Sequence, residues 1–174
     1  FNTLGLRSNE VRLHSAFLAE LLNPDGNHGL KDAMLKEFLA AIGLKRDYIS
    51  NCNTNIVERY IGERTETTGG RIDIILEDGE YAIIIENKIN NAGDMVRQLP
   101  RYYDLVSSNF TIDAIVYLPL DKSKRPDESS WTKQDKINVH QHLVIIPAYS
   151  LDNGINLVDS WIKPAILQAQ NMNC

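Results

Sequence analysis

Residues 82–103 read AIIIENKINNAGDMVRQLPRYY, and the reading of this stretch decides the fold. Ala82 to Ile85 is a short apolar run rich in isoleucine, the pattern of a strand buried on both faces. It then runs into Glu86-Asn87-Lys88, two opposite charges where more isoleucine is expected. An isolated charge taken into an apolar interior costs far more than one hydrogen bond returns, so these side chains need partners or a chemical task.

Just upstream, GRIDIIL (70–76) is a second apolar strand, joined to the first across Glu77-Asp78-Gly79-Glu80. Asp-Gly between apolar runs is a strong hairpin signal. With Asp78 and Gly79 at the turn centre, Asp73 pairs with Ile84 and Arg71 with Glu86. Alternation then puts Asp73, Ile84, Glu86 and Lys88 on one face of the sheet. Asp73 and Glu86 become diagonal neighbours at roughly 7 to 8 Å, a gap that carboxylate side chains narrow. Two such carboxylates suit Mg²⁺, which binds oxygen at about 2.0 to 2.1 Å and keeps several waters. Lys88 falls one step beyond, within reach of an attached water or a phosphate. An ion pair at a sheet edge, adding little stability, is the plainer account of the same residues.

The segment SNEVRLHSAFLAELLN (8–23) reads as a helix capped by Ser8 and stopped at Asn23-Pro24-Asp25-Gly26. Helical spacing groups Phe17, Leu18 and Leu21 with Glu10 and His14, and turns Arg12, Ala16, Ala19 and Asn23 the other way. A carboxylate on a core-facing stripe is again the sign of a polar site. A second helix is expected over 30–42, ending at Gly43, and a strand over 54–62. Residues 92–107 form a helix in which Pro100 should produce a kink or a late start. Gln98 and Tyr102, at i and i+4 on that helix, reach the same end of the sheet. IDAIVYLPL (112–120) is a buried strand, 121–136 a polar loop, HLVIIPAY (142–149) a last strand, and 152–169 a closing helix with Leu157, Val158, Trp161 and Ile162 on its apolar side. Antiparallel hairpins plus a helical crossover describe an α/β domain with a mixed sheet.

A chain of 174 residues is one domain, 1–174, with enough length for a normal core. It begins with Phe1 rather than Met, as expected of a processed chain or a fragment of a longer one. No apolar run approaches the ~18 residues of a membrane span, so no membrane partner is expected. Two cysteines, Cys52 and Cys174, at no metal-like spacing fit a reducing cytoplasm. A net charge of -5 argues against holding nucleic acid by bulk electrostatics alone, so any DNA contact must be local.

Asp73, then Glu86-Asn87-Lys88 on the second arm of a hairpin, then Gln98-Leu99-Pro100-Arg101-Tyr102, together resemble the PD-(D/E)XK nuclease superfamily with the Q-x-x-x-Y element of its exonuclease-V-like branch. The helix NEVRLHSAFLAELLNPDGNHG with GRIDIIL and IIIENKI is similar to an uncharacterised prokaryotic family of that superfamily with a Glu-x-x-x-His-Ser helix. The resemblance spans about residues 8 to 103. It departs at Ile72, where the superfamily name has proline, and at Pro100, inside the Q-x-x-x-Y helix.

The resemblance implies a restriction-endonuclease-like core and a metal-dependent DNA phosphodiesterase. Asp73, Glu86 and the main-chain carbonyl of Asn87 would ligate Mg²⁺, with Mn²⁺ as the alternative, and Glu10 would be an outer or second-metal ligand. Metal binding lowers the pKa of a bound water and neutralises charge developing on the scissile phosphate. Lys88 would orient that water and stabilise the transition state. Gln98 and Tyr102 would position the substrate backbone, and His14 would contact phosphate or steady Glu10. The implied partners are DNA together with a second copy of the chain or a specificity domain outside it. The competing reading is a catalytically silent domain of the same fold that binds nucleic acid or a partner protein. Retention of Asp, Glu and Lys together favours the enzyme.

Other signals are weaker. Glu58 is expected to pair with Arg59 or Arg71 rather than join the site. His140 and His142 read as strand-end residues, with no further ligand at a metal spacing. The basic loop DKSKRP (121–126) is either a grip on DNA or simply a solvated loop, and NPDGNHG (23–29) with His28 either folds back over the site or is a simple helix-to-helix turn.

Overall fold

The computed structural model describes residues 10–45, 48, 53–60, 69–152 and 154–172, with the backbone alone at 10–12, 53–60 and 172. Among these residues a five-stranded sheet is ordered β1 (Asn53–Tyr60), β2 (Arg71–Glu77), β3 (Tyr81–Lys88), β4 (Thr111–Pro119) and β5 (Leu143–Ile145). β1, β2 and β3 are antiparallel neighbours, whereas β3, β4 and β5 run parallel. The parallel pairs exist because helices return the chain to the starting edge: α3 (Gln98–Val106) joins β3 to β4, and α4 (Lys133–His140) joins β4 to β5.

Strand alternation sorts the apolar side chains into two layers. Ile74, Leu76, Ile83, Ile85, Val116 and Leu118 face α1 (Glu10–Leu22), α2 (Ala33–Ala41) and the C-terminal α5 (Lys163–Met172). Ile75, Ile84, Ile115 and Tyr117 meet Leu99, Tyr102 and Val106 of α3 and Val139 of α4. β3 and β4 are buried on both faces, which is why both read as continuous apolar runs.

Four expectations change. On α1 the buried stripe is Ser15, Leu18, Ala19 and Leu22, at i, i+3, i+4 and i+7, so Ala19 lies inside and Phe17 outside. A leucine-rich helix offers two overlapping stripes, and contact with α2 selects this one. Within the expected 121–136 loop, α4 starts at Lys133. Thr132 accepts from Asp135 N at 3.1 Å while the Asp135 carboxylate accepts from Thr132 N at 2.8 Å, a capping box that carries a mostly polar helix. The last strand shrinks to Leu143–Ile145, although Ile146 N and Ala148 N still donate to Tyr117 and Pro119 carbonyls. The final helix begins late: a π-helical turn, Val158–Ile162, leads into α5, whose second residue, Pro164, has no N–H to offer. Among the described residues no helix is long and apolar enough to cross a membrane. Ser8 and both cysteines lie outside the described residues.

Candidate active site at the end of the hairpin

The alternation of β3 continues past its apolar part. Ile83 and Ile85 face α1 and α2, and Asn87 follows them, its amide donating to Ser15 Oγ on α1 at 3.2 Å. Ala82 and Ile84 face α3, and Glu86 and Lys88 follow them to meet Gln98. All three polar residues are buried, with 2%, 4% and 4% of their surface exposed for Glu86, Asn87 and Lys88. Their charges are therefore inside, where hydrogen bonds must hold them.

The hairpin turn differs from the Asp78-Gly79 expectation by one step. Asp78 N donates to Tyr81 O at 3.1 Å, the Asp78 carboxylate accepts from Tyr81 N at 2.7 Å, and Gly79 adopts φ +97°, which suits glycine alone. The turn centre is Gly79-Glu80. Ile74 then pairs with Ile85 and Ile75 with Ile84, so Ile84 is the partner of Ile75 and not of Asp73. Regular pairing stops at Ile74–Ile85. Beyond it, Asp73 Oδ2 accepts from Asn87 N at 2.8 Å, so a carboxylate occupies the place of the next ladder acceptor. Across Asp73 the strand also changes face: Ile72 packs with the α3 layer, whereas Ile74 packs with the α1 layer.

Gln98 is the hub of the site. Its amide nitrogen donates to Glu86 Oε1 at 2.8 Å and to Tyr102 Oη at 2.9 Å, and its carbonyl oxygen accepts from Lys88 Nζ at 3.0 Å and Met95 N at 3.1 Å. Tyr102 Oη in turn donates to Arg71 O at 2.5 Å. Pro100 does not disturb this spacing, because α3 starts at Gln98 and places Pro100 in the first turn, where an N–H has no intrahelical acceptor anyway. Arg97, at φ 47°, makes the sharp entry. Its guanidinium is clamped to Asp135 by bonds of 2.8 and 2.6 Å.

Lys88 Nζ has oxygen on four sides: Glu86 Oε1 at 2.9 Å, Gln98 Oε1 at 3.0 Å, Gly93 O at 3.1 Å and Asp94 Oδ1 at 3.4 Å. Burial alone pulls its pKa down, but the Glu86 and Asp94 carboxylates prevail and hold it above the usual lysine value. Glu86 is pushed up to about 8, first by burial and then by the charge of Asp73, against the pull of Lys88. The Tyr102 hydroxyl is raised by burial and by Glu86, and so stays a donor. Glu86 Oε1 takes both donors, while Oε2 is buried without a hydrogen-bond partner among the described residues. A bare buried carboxylate oxygen beside a second carboxylate is a place for a cation.

Asp94 escaped the sequence reading. It lies in the loop between β3 and α3, where no periodicity assigns a direction to a side chain, yet its carboxylate is 8% exposed and bonded to Tyr117 Oη and Asp127 N. Tyr117 was legible only as core. His14, on α1, has a buried Nδ1 without a partner among the described residues, and the Glu10 and Glu58 side chains lie outside the described residues. His28 Nε2 donates to Asn23 O while Nδ1 accepts from Leu30 N, closing the α1–α2 turn. His140 ends α4 and pairs with Glu128 at 2.7 Å, and His142 stacks on Tyr103. Neither belongs to the site. The 121–126 loop abuts it, through Lys124 on the Ala92 carbonyl.

Across residues 1–172 the chain matches the sequence profile of the PD-(D/E)XK nuclease superfamily. The chain belongs to that superfamily. Neither the curated proteins nor the solved structures contain a match to it. The mixed sheet with helices on both faces accords with the restriction-endonuclease-like core of the PD-(D/E)XK fold. In this PD-(D/E)XK chain Ile72 stands where the superfamily name has proline, and it is fully buried in the layer that includes Leu99 and Tyr102, a place for an apolar residue. No trio of His, Cys, Asp or Glu converges among the described residues. What Asp73 and Glu86 offer is carboxylate oxygen, the kind of donor that fits a hard divalent cation keeping its waters.

Proposed function

We propose that this domain hydrolyses DNA phosphodiester bonds with Mg²⁺, or Mn²⁺ in its place, as cofactor. The observation that carries the reading is the divided Glu86 carboxylate. One oxygen is held by Gln98 and Lys88, the other is buried without a hydrogen-bond partner among the described residues, and the charge of Asp73 acts on the carboxyl. Asp73, Glu86 and the Asn87 carbonyl would hold the cation, with Glu10 as the outer ligand. A bound divalent cation supplies charge neutralisation at the phosphate and acidifies water.

The residues do the rest. Gln98 fixes the Glu86 rotamer and the Lys88 ammonium together, so carboxylate and cation keep one relative geometry. Tyr102 braces Gln98 from behind and anchors α3 to β2 through Arg71 O. Ser15 holds the Asn87 amide, which sets the peptide whose carbonyl is wanted. Lys88, charged and preorganised, stabilises negative charge developing on a phosphate oxygen. His14 would meet phosphate from the α1 side.

The test is incubation of linear, circular and single-stranded DNA with the protein, in Mg²⁺ and in chelator. Mg²⁺-dependent cutting that disappears in both Asp73→Ala and Lys88→Ala is expected. Cutting that survives both substitutions, or no cutting of any substrate, sinks the enzymatic reading; DNA retention without cutting is the signature of the silent domain.

A further inference from the structure

We infer that Asp94 is a positioning residue for Lys88, and that through it the 120–132 loop sets where the ammonium sits. The inference rests on the nuclease reading above and adds a part to it. Lys88 carries three N–H donors and meets four oxygens. Gly93 and Asp94 supply two of them from the same loop, so residues 93 and 94 form one wall of the ammonium socket as Gln98 and Glu86 form the other.

Asp94 is held as a counter-charge rather than offered as a ligand. Its two oxygens lie 3.1 Å from Tyr117 Oη, and Oδ2 accepts from Asp127 N at 2.9 Å. Tyr117 stands on β4 directly opposite Glu86, so the anchor shares the rigid sheet with the carboxylate. Asp127 belongs to the loop beyond β4, and that loop is tied to the Asp94 segment twice more, by Lys124 on Ala92 O and by Ser130 Oγ, which accepts from Arg97 N at 2.9 Å. Of the two carboxylates that face Lys88, Glu86 is the one with an oxygen that has no hydrogen-bond partner among the described residues. When Glu86 shares its charge with a cation, Asp94 is the carboxylate left to hold the ammonium in place.

The experiment uses Asp94→Asn, which keeps the size and an acceptor oxygen, with Tyr117→Phe as a milder variant and Lys88→Met to assign the ¹⁵N-lysine ammonium resonance. In Asp94→Asn the Lys88 ammonium resonance shifts or broadens without DNA or metal. The single-turnover cleavage rate in saturating Mg²⁺ falls about 10- to 100-fold while DNA affinity is unchanged. Tyr117→Phe moves both readouts in the same direction by less. An unmoved resonance, or a wild-type rate in the folded Asp94→Asn protein, overturns the inference; so does a lowered melting temperature as the sole change. If the wild type cuts no DNA, the nuclease reading fails on its own, and the resonance still decides whether Asp94 holds Lys88.

Discussion

Gln98 donates to Glu86 Oε1 at 2.8 Å from the first turn of α3. The same side chain accepts from Lys88, so one amide with a donor end and an acceptor end fixes the geometry of two opposite charges that already touch at 2.9 Å. An alanine leaves both charges unguided in a buried site. We expect Gln98→Ala to lower Mg²⁺-dependent cleavage by about 10- to 100-fold. Gln98→Glu, which brings a carboxylate against Glu86, is expected to fall further. Single-turnover rates on linear DNA measure both, and an undiminished rate in Gln98→Ala removes the hub from the mechanism.

Glu86 makes metal-free stability depend on pH. Its folded pKa lies near 8, above the ordinary carboxylate value of 4.5. A raised carboxyl contributes stability that is fully present below 4.5 and is lost as pH rises through the folded value. In chelator the melting temperature should therefore fall between pH 5 and pH 8, and Glu86→Gln should flatten that slope. Mg²⁺ should raise the wild-type melting temperature most at pH 8 and leave Glu86→Gln unmoved. Calorimetry with and without chelator checks this, and an equal Mg²⁺ shift in the two proteins contradicts the ligand role.

Arg97 and Asp135 join the entry of α3 to α4. The Arg97 guanidinium and the Thr132 amide and hydroxyl hold the Asp135 carboxyl down at about 2. This lowered value contributes stability above the ordinary 3.8 that is lost as pH falls toward 2. The contribution is about 2 kcal/mol at neutral pH. Asp135→Asn should lower the urea midpoint at pH 7 accordingly, with the gap to wild type closing at pH 2. A gap that persists in acid assigns the loss to packing instead.

Trp161 fastens the C-terminal helices to the α1 layer. Its indole N–H donates to Met34 O at 2.6 Å and its ring meets Phe38 edge-on at 5.0 Å between centroids. Trp161→Ala should cost about 3 to 5 kcal/mol. Trp161→Phe, which keeps an aromatic ring but removes the N–H that donates to Met34 O, should cost about 1 kcal/mol for the lost bond. Urea unfolding measures both, and equal losses would show that the ring contributes nothing beyond the hydrogen bond.

Much of the site was legible because its parts sit on regular elements. Glu86, Lys88 and Asn87 follow from the parity of one strand, and Gln98 with Tyr102 from one helical turn. The register was less legible: Asp-Gly points to a two-residue turn, but glycine's positive φ is used at the first central position, which moves the centre to Gly79-Glu80 and pairs Ile84 with Ile75 rather than Asp73. Helix α4 was missed because its pattern is polar, although the Thr132-x-x-Asp135 box was there to be read. On α1 the choice between Phe17 and Ala19 depended on what lay beside the helix.

By itself the sequence determined the α/β class, the hairpin, the helix after β3 and the placing of charges at the end of an apolar strand, since these depend on periods of two and 3.6 residues along one chain. Only the tertiary structure decided how those charges are satisfied. Asp94 reaches Lys88 from an irregular loop, Tyr117 arrives across a parallel pair, and Asp127 comes from beyond β4. Such contacts join segments whose separation in sequence carries no period, and they form because burial leaves a charged group no water to turn to.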